Sequence, residues 1–165
     1  MTSTRKTTRM MAISTAFVVL LVSTESLGAH HSLVDFDTSA PIWVKGKVLR
    51  VEVVNPHSRI YLEQTDENGT QEWVADGPSP LRFKRMGLAG DRLKVGDVVE
   101  ICGFESRWSQ DAFRHGHLYS KAWKLPGRLM NGNLLVLPDG EKKVLSNYGE
   151  LYQCLGPEDR NLLKQ

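Results

Sequence analysis

Histidine is the most distinctive chemistry-bearing residue type in this sequence. The five histidines fall into an adjacent pair in "AHHS", a single residue in "NPHS" and an alternating pair in "HGH": His30, His31, His57, His115 and His117. Neutral imidazole is a good ligand for copper, zinc and nickel. A site that joins the first pair to His57, or to the last pair, would suit a transition metal, with copper the leading candidate.

Taken singly, each group has a simpler explanation. Adjacent histidines after a leader can be a polar linker, and His57 can hydrogen-bond the backbone of its turn. His115 and His117 flank a glycine and suit a solvent-facing loop tip. Asp35 and Asp37 could ligate a metal or orient a ligating histidine, or could be ordinary exposed acids.

The residues upstream explain why two histidines stand at positions 30 and 31. Residues 1–10 are basic and lack acids, residues 11–22 are uncharged and mostly apolar, and small residues lead to Ala29. This three-part pattern predicts a signal peptide over residues 1–29. Its apolar run is shorter than the roughly 20 residues that a membrane-spanning helix needs. We therefore expect a periplasmic or secreted protein with no membrane span after cleavage near Ala29.

The exact cut decides what the first histidines can bind. A cut after Ala29 makes His30 the first residue and places a free amine beside its ring. A cut after Gly28 leaves Ala-His-His, in which the amine, backbone amides and third-position imidazole can surround Cu(II) or Ni(II) in a square plane. The sequence leaves both cuts open.

The composition of the mature chain excludes several classes of function. The leader carries Arg5, Lys6, Arg9 and Glu25, so its removal takes the formal charge from +2 to zero. A neutral domain lacks the basic surface that nucleic-acid binding requires. The sequence also contains no hydrolase motif and no phosphate-binding loop, so we do not expect an enzyme.

The two cysteines leave one question open. Cys102 and Cys154 form an even pair in a chain predicted to be exported, which favours a disulfide in an oxidising compartment. Two unpaired thiols are the alternative, because Cys102 lies in "VVEICGF" and could simply be a small core residue. Neither cysteine belongs to a CxxC motif, which argues against thiol redox catalysis.

The pattern of β-rich segments predicts one small barrel. Strands are expected at 42–54, 59–64, 70–77, within 93–105 and at 117–125, and a short helix in "SPLRFKRMG" follows the third. Ser79 is a suitable N-cap residue for that helix, Pro80 suits its first position, and Gly87 suits the position just after its C-terminal end. This order is typical of an all-β, OB-like five-stranded Greek-key barrel.

The segments around that barrel complete the organisation. We expect an N-terminal arm over 30–41, the barrel over 42–125, and a C-terminal hairpin and tail over 126–165, with the hairpin at 133–146. The apolar residues of the first strand change parity midway, which predicts a bend or bulge. They are Ile42, Val44 and Val48 in one phase, and Leu49, Val51 and Val53 in the other.

Several of these motifs, in this order, resemble a known family. "AHHS" after a leader, "NPHSRIYL", "GPSPLRFKRMG", "LKVGDVVEICGF" and "LPDGEK" are similar to the exported bacterial family called domain of unknown function 6152. The resemblance runs from about Ala29 to Gly103. It implies an exported small β-domain and no known reaction, and its motif positions here are His30, His31, Asn55, Pro56 and His57. His115 and His117 lie in a segment that departs from the pattern.

Two function hypotheses follow. The first is a non-enzymatic exported barrel that binds a small ligand or a transition metal, most plausibly copper, through His30, His31 and His57. The second is a module that binds an envelope protein or saccharide without metal. Exposed aromatic residues on the barrel would favour the second hypothesis; the candidates are Trp43, Trp73, Trp108 and Trp123. Trp43 and Trp73 lie beside aliphatic residues, so we expect core or rim packing for them.

Overall fold

The part of the chain that the structure describes contains six β-strands, one short α-helix and two 3-10 helices. The structure is a computed structural model that describes residues 35–107, 127–146 and 151–164. The six strands are β1 (Ile42–Glu52), β2 (Arg59–Asp66), β3 (Gly69–Asp76), β4 (Val98–Glu105), β5 (Arg128–Val136) and β6 (Lys142–Val144). Helix α1 spans Pro80–Arg85, and the 3-10 helices span Leu151–Cys154 and Pro157–Lys164. No helix within the described ranges is long and apolar enough to cross a membrane.

Five of the strands form a closed barrel. Antiparallel neighbours run in the order β3-β2-β1-β4-β5, and a parallel pairing of β3 with β5 closes the ring. Strand β6 adds to β5 as an extra strand. The predicted all-β, five-stranded barrel with one short helix is confirmed, and its ring order matches the OB-like arrangement.

The first strand is long because it serves two partners. Residues Ile42–Lys47 pair with β4 and residues Lys47–Glu52 pair with β2, and the register shifts between Val48 and Arg50. The bulge predicted from the change of apolar parity is therefore present. Val44 and Val48 enter the core before the bulge, and Val51 packs against the core after it. Leu49 differs from its expected phase and packs against Tyr61 outside the main core.

Helix α1 fills one end of the barrel. Pro80 occupies its first turn as expected, and Phe83 is fully buried in the main core cluster. The backbone carbonyl of Ser79 accepts a hydrogen bond from Phe83 N at 2.9 Å. Ser79 occupies the N-cap position as expected, but its side chain makes no capping hydrogen bond. Gly87 follows the helix with φ of 72°, which suits a helix stop.

The strand that closes the barrel is not the one that the sequence indicated. The expected fifth strand at 117–125 lies outside the described residues. Strand β5 closes the ring from Arg128–Val136, within the segment expected to hold the separate hairpin. It carries Asn131, Gly132 and Asn133 at its centre, and these residue types are depleted in strands. Gly132 lies in close packing there, since a Cβ atom would make a tight contact of 3.2 Å with the Leu145 side chain.

A disulfide fastens the C-terminal segment to the outside of the barrel. Cys102 on β4 is bonded to Cys154, across 52 residues and a Cα–Cα distance of 5.7 Å. Both cysteines are buried with Leu134, and partly buried Leu155 and Leu162 pack against them. The disulfide that the sequence left open is thus present. The tail becomes an ordered cover on β4 and β5.

Removal of this bridge should destabilise the barrel. A Cys102→Ala/Cys154→Ala variant is expected to lose about 2–4 kcal/mol of unfolding free energy, because the long loop is no longer closed in the unfolded chain. Urea unfolding of the two proteins measures the difference, and intact mass verifies that the native chain is about two mass units lighter than its reduced form. A variant within about 0.5 kcal/mol of the native protein would contradict the prediction.

Candidate functional site

His57 lies at the turn between β1 and β2, directly after a cis Asn55–Pro56 peptide bond. Its side chain is 24% exposed, so one part of the ring is covered and another reaches the surface. Nδ1 of His57 lies 2.5 Å from Oδ2 of Asp76, the last residue of β3. An ionised carboxylate only accepts hydrogen bonds, so Nδ1 must carry the proton and donate it to Asp76.

The register of the β2–β3 hairpin brings Asp76 to this position. The strands pair from Asp66↔Gly69 at the turn to Arg59↔Asp76 at the open end. At the turn, Asn68 N donates to Asp66 Oδ1 at 2.8 Å, and Gly69 takes a φ of 113°. Because the hairpin is in register along its whole length, the carboxylate at its end lies beside the residue that precedes β2.

Two backbone hydrogen bonds hold the same end of the hairpin together. Ser58 N donates to the carbonyl of Pro78, and Gly77 N donates to the carbonyl of Ser58, both at 2.8 Å. A side chain at Gly77 would place its Cβ 3.2 Å from that carbonyl, which is a tight contact. The backbone on either side of the His57–Asp76 pair is therefore constrained by neighbours that do not depend on the pair itself.

A row of charged side chains continues from Asp76 across the outside of the barrel. Cross-strand pairing places Glu52, Arg59 and Asp76 opposite one another on β1, β2 and β3. The Arg59 side chain is only 10% exposed, and its Nε lies 3.6 Å from Oδ1 of Asp76 while Nη1 lies 3.8 Å from Oε2 of Glu52. Glu52 also accepts from Tyr61 Oη at 2.7 Å and pairs with Arg50 at 3.2 Å. We call Arg50, Glu52, Arg59 and Asp76 the charge row.

The electrostatic environment favours a protonated His57. The hydrogen bond to Asp76 raises the pKa of the imidazole, and so does the charge of that carboxylate. Burial and the nearby Arg59 cation act in the opposite direction without reversing the shift. Beside the charge row, burial and the hydrogen bond to Glu52 raise the pKa of Tyr61, and Arg59 and Arg50 oppose this shift without reversing it.

This arrangement determines which nitrogen of His57 can bind a ligand. With Nδ1 engaged by Asp76, a metal would have to bind at Nε2. A carboxylate on the second ring nitrogen is the usual support of a metal-ligating histidine, because it fixes the tautomer and orientation and makes the ligand more basic. Within the described ranges, no three His, Cys, Asp or Glu residues form a group that could hold a metal ion.

The structure describes only some of the residues that the sequence singled out. His30, His31, His115 and His117 lie outside the described residues. Asp37 is engaged locally, since its carboxylate accepts from Ser39 N at 3.1 Å and Ser39 Oγ at 2.7 Å. These hydrogen bonds lower the pKa of Asp37. Asp35 contributes its backbone carbonyl to a hydrogen bond from Arg107 N.

The tryptophans divide between the core and the surface. Trp73 is buried in the main core and lies under the Arg128 guanidinium, 4.4 Å from the ring centroid. Trp43 is 48% exposed on β1. Trp108 and Trp123 lie outside the described residues. The prediction of core packing is therefore correct for Trp73. Trp43 instead presents a large aromatic surface to solvent.

Sequence reasoning identified His57 but missed the residues that support it. Asp76, Arg59 and Glu52 occur in no local motif with His57. Two signals were available: the "DENG" turn fixes the pairing of β2 with β3, and the alternation in "RIYLEQ" places Arg59 and Tyr61 on the same face. Counting outward from that turn places Asp76 opposite Arg59, next to His57.

Comparison with known proteins shows the family. A model of the family of unknown function DUF6152 matches residues 18–116, more than half of the chain, and the chain belongs to that family. The matched region contains β1–β4, α1 and the His57–Asp76 pair. It ends before β5, the strand that closes the barrel. No curated protein matches the sequence.

The raised pKa of His57 predicts that its stabilising effect depends on pH. The folded state binds the His57 proton more tightly than the unfolded state, so this stabilisation is complete below the ordinary pKa of 6.5 and is lost as pH rises through the raised folded value. Urea unfolding of the native chain and of His57→Gln should therefore differ more at about pH 5.5 than at about pH 9. The other histidines are common to both proteins and cancel. An equal difference at both values would contradict the prediction.

Proposed function

We propose that this protein is an exported β-barrel that binds Cu(II) through His57, His30 and His31, and that it acts by binding rather than by catalysis. The observation that carries the proposal is the 2.5 Å contact between His57 Nδ1 and Asp76. This contact orients the imidazole and directs metal binding to Nε2. The sequence contains no known catalytic motif around His57.

The surroundings of His57 are compatible with a bound cation. The Arg59 guanidinium is the nearest positive charge in the charge row, and it lies within 4 Å of two carboxylates, those of Glu52 and Asp76. The carboxylates thus offset the positive charges of Arg50 and Arg59. A ring that is partly exposed at its turn can also be reached by an ion from solvent.

The remaining ligands in this proposal come from the mature N-terminus. A Cu(II) ion needs several nitrogen or oxygen donors in a square-planar or tetragonal arrangement. His30 and His31, together with the new amine, supply such donors within two residues of chain. His115 and His117 are reserve candidates, because their alternating spacing would turn both rings to one side of an extended segment.

Export to the periplasm or beyond is part of the same proposal. The predicted leader and its cut near Ala29 would create the free amine that the copper site uses. The disulfide between Cys102 and Cys154 supports an oxidising location, because structural disulfides are rare in the reducing cytosol. Copper available outside the cytosol would then meet the histidines directly.

The proposal predicts one tight equivalent of Cu(II) on protein purified with its native N-terminus. Competitive titration against a chelator should show that Asp76→Asn weakens the affinity about 10- to 100-fold, because the ring loses the carboxylate that orients it. His57→Ala and a triple alanine variant of His30, His31 and His57 should weaken it further. Asp139→Asn is the matched control, since that aspartate pairs with Arg92 on an exposed surface.

Two results would contradict the copper proposal. One is a correctly cleaved native chain that binds no tight Cu(II). The other is an Asp76→Asn variant that binds copper as tightly as Asp139→Asn. Either result would remove the functional meaning of the His57–Asp76 contact and leave it as a structural hydrogen bond at the start of β2.

The exposure of Trp43 favours a second candidate function, an interaction module for an envelope protein or saccharide. Trp43 lies opposite Cys102 on the outside of the barrel, and Lys45 follows it in the same phase of β1. An aromatic face beside a positive charge can stack on a sugar ring and contact an acidic group. Trp43→Ala should abolish binding to envelope saccharides if this function is correct, and should leave copper affinity unchanged if the first one is.

A further inference from the structure

The two partners of Asp76 lie at unequal distances. His57 Nδ1 is 2.5 Å from one carboxylate oxygen, whereas Arg59 Nε is 3.6 Å from the other. Charge-assisted hydrogen bonds from nitrogen to a carboxylate typically measure about 2.7–2.9 Å. His57 therefore hydrogen-bonds to Asp76, whereas the permanently charged Arg59 stays beyond hydrogen-bond distance of this carboxylate.

The position of Arg59 explains this inequality. Its guanidinium lies between two carboxylates, 3.6 Å from Asp76 and 3.8 Å from Glu52. Glu52 is itself held in place by the Tyr61 hydroxyl at 2.7 Å and by Arg50 at 3.2 Å. The Arg50 guanidinium also stacks on the Tyr61 ring, 3.9 Å from its centroid. Glu52 is thus an anchored negative charge that shares the Arg59 guanidinium with Asp76.

We infer that Glu52 is a positioning residue for His57: by sharing the charge of Arg59 with Asp76, it keeps the Asp76 carboxylate available to the imidazole and fixes the tautomer with the proton on Nδ1. Glu52 acts through Arg59 and Asp76, since its carboxylate is engaged by the Tyr61 hydroxyl and by the two arginines. The consequence for copper rests on the proposed function, because only the fixed tautomer presents the Nε2 lone pair to a metal. The tautomer itself exists without metal.

The physical reason is competition for one carboxylate. A guanidinium that moved into hydrogen-bond distance of Asp76 would draw electron density toward Oδ1 and would weaken the acceptor strength of Oδ2. The hydrogen bond from His57 Nδ1 to Asp76 would then be only slightly stronger than a hydrogen bond from Nδ1 to water. Since a neutral imidazole can carry its proton on either nitrogen, a weaker acceptor at Nδ1 shifts the balance toward Nε2–H.

The experiment measures the tautomer ratio of His57 in the metal-free protein. Nitrogen NMR shifts of the labelled imidazole, recorded at a pH above the ring titration, report the share of protons on each nitrogen. The native chain should favour Nδ1–H by about tenfold or more, as expected for a hydrogen bond to a charged acceptor. Glu52→Gln should reduce that ratio about three- to tenfold, because one negative charge near Arg59 is lost.

Matched variants separate this effect from general damage. Glu63→Gln removes a carboxylate of the same strand pair that bridges to Lys47 at 2.8 Å, outside the charge row, and should leave the ratio unchanged. Glu52→Asp retains the charge and should keep the ratio closer to native than Glu52→Gln does. The glutamine at position 52 can still accept from the Tyr61 hydroxyl, so the variant retains a contact that supports folding. Dispersed amide spectra verify the fold of each variant.

The outcomes distinguish this inference from the copper proposal. A Glu52→Gln ratio within about twofold of native, or an equal shift in Glu63→Gln, would overturn the role of Glu52. A shifted ratio in a chain that binds no Cu(II) would retain the positioning role and reject the copper function. Tight copper binding with an unchanged tautomer ratio would support the copper function and reject the positioning role of Glu52.

Discussion

The pairing register of the β2–β3 hairpin is the constraint on which the candidate site depends. Side chains alternate between the two faces of a strand, so a slip of one residue would turn Arg59 and Asp76 into the core and bring Ile60 and Ala75 out of it. The native register instead buries the aliphatic set and aligns Glu52, Arg59 and Asp76 on the outside. The same hydrophobic preference that folds the barrel therefore assembles the charge row and supplies His57 with its carboxylate.

Closure of the barrel stabilises that register from the other edge of β3. Trp73–Asp76 pair in parallel with Arg128–Asn131, so the strand that carries Asp76 has partners on both sides. Arg128 strengthens the junction, because it stacks on Trp73 and donates to Glu105 at 2.7 Å and 2.5 Å. On the far side of the barrel, the disulfide to Cys154 fastens the C-terminal cover to β4. The site thus lies where the ring of strands is completed.

Much of the fold was predictable because its signals are local. The bulge in β1 follows from a parity change between Val48 and Val51, and the start of α1 follows from Pro80. The closing strand was not predictable in the same way, since Asn131 and Gly132 resemble a turn unless their close neighbours are known. The candidate site shows the same contrast between local and long-range signals. His57 was visible as a residue type, but Asp76 lies 19 positions away and reaches it only through the hairpin pairing.

The most direct test of the proposed copper site is to locate a bound ion. Crystals of the chain without its predicted leader, loaded with Cu(II) and measured at the copper absorption edge, would show the position of the ion by anomalous scattering. We expect a peak about 2 Å from Nε2 of His57, a typical metal–imidazole distance, with Nδ1 still bonded to Asp76. A peak on Nδ1 that displaces the carboxylate, or a peak on other residues only, would contradict the proposed site.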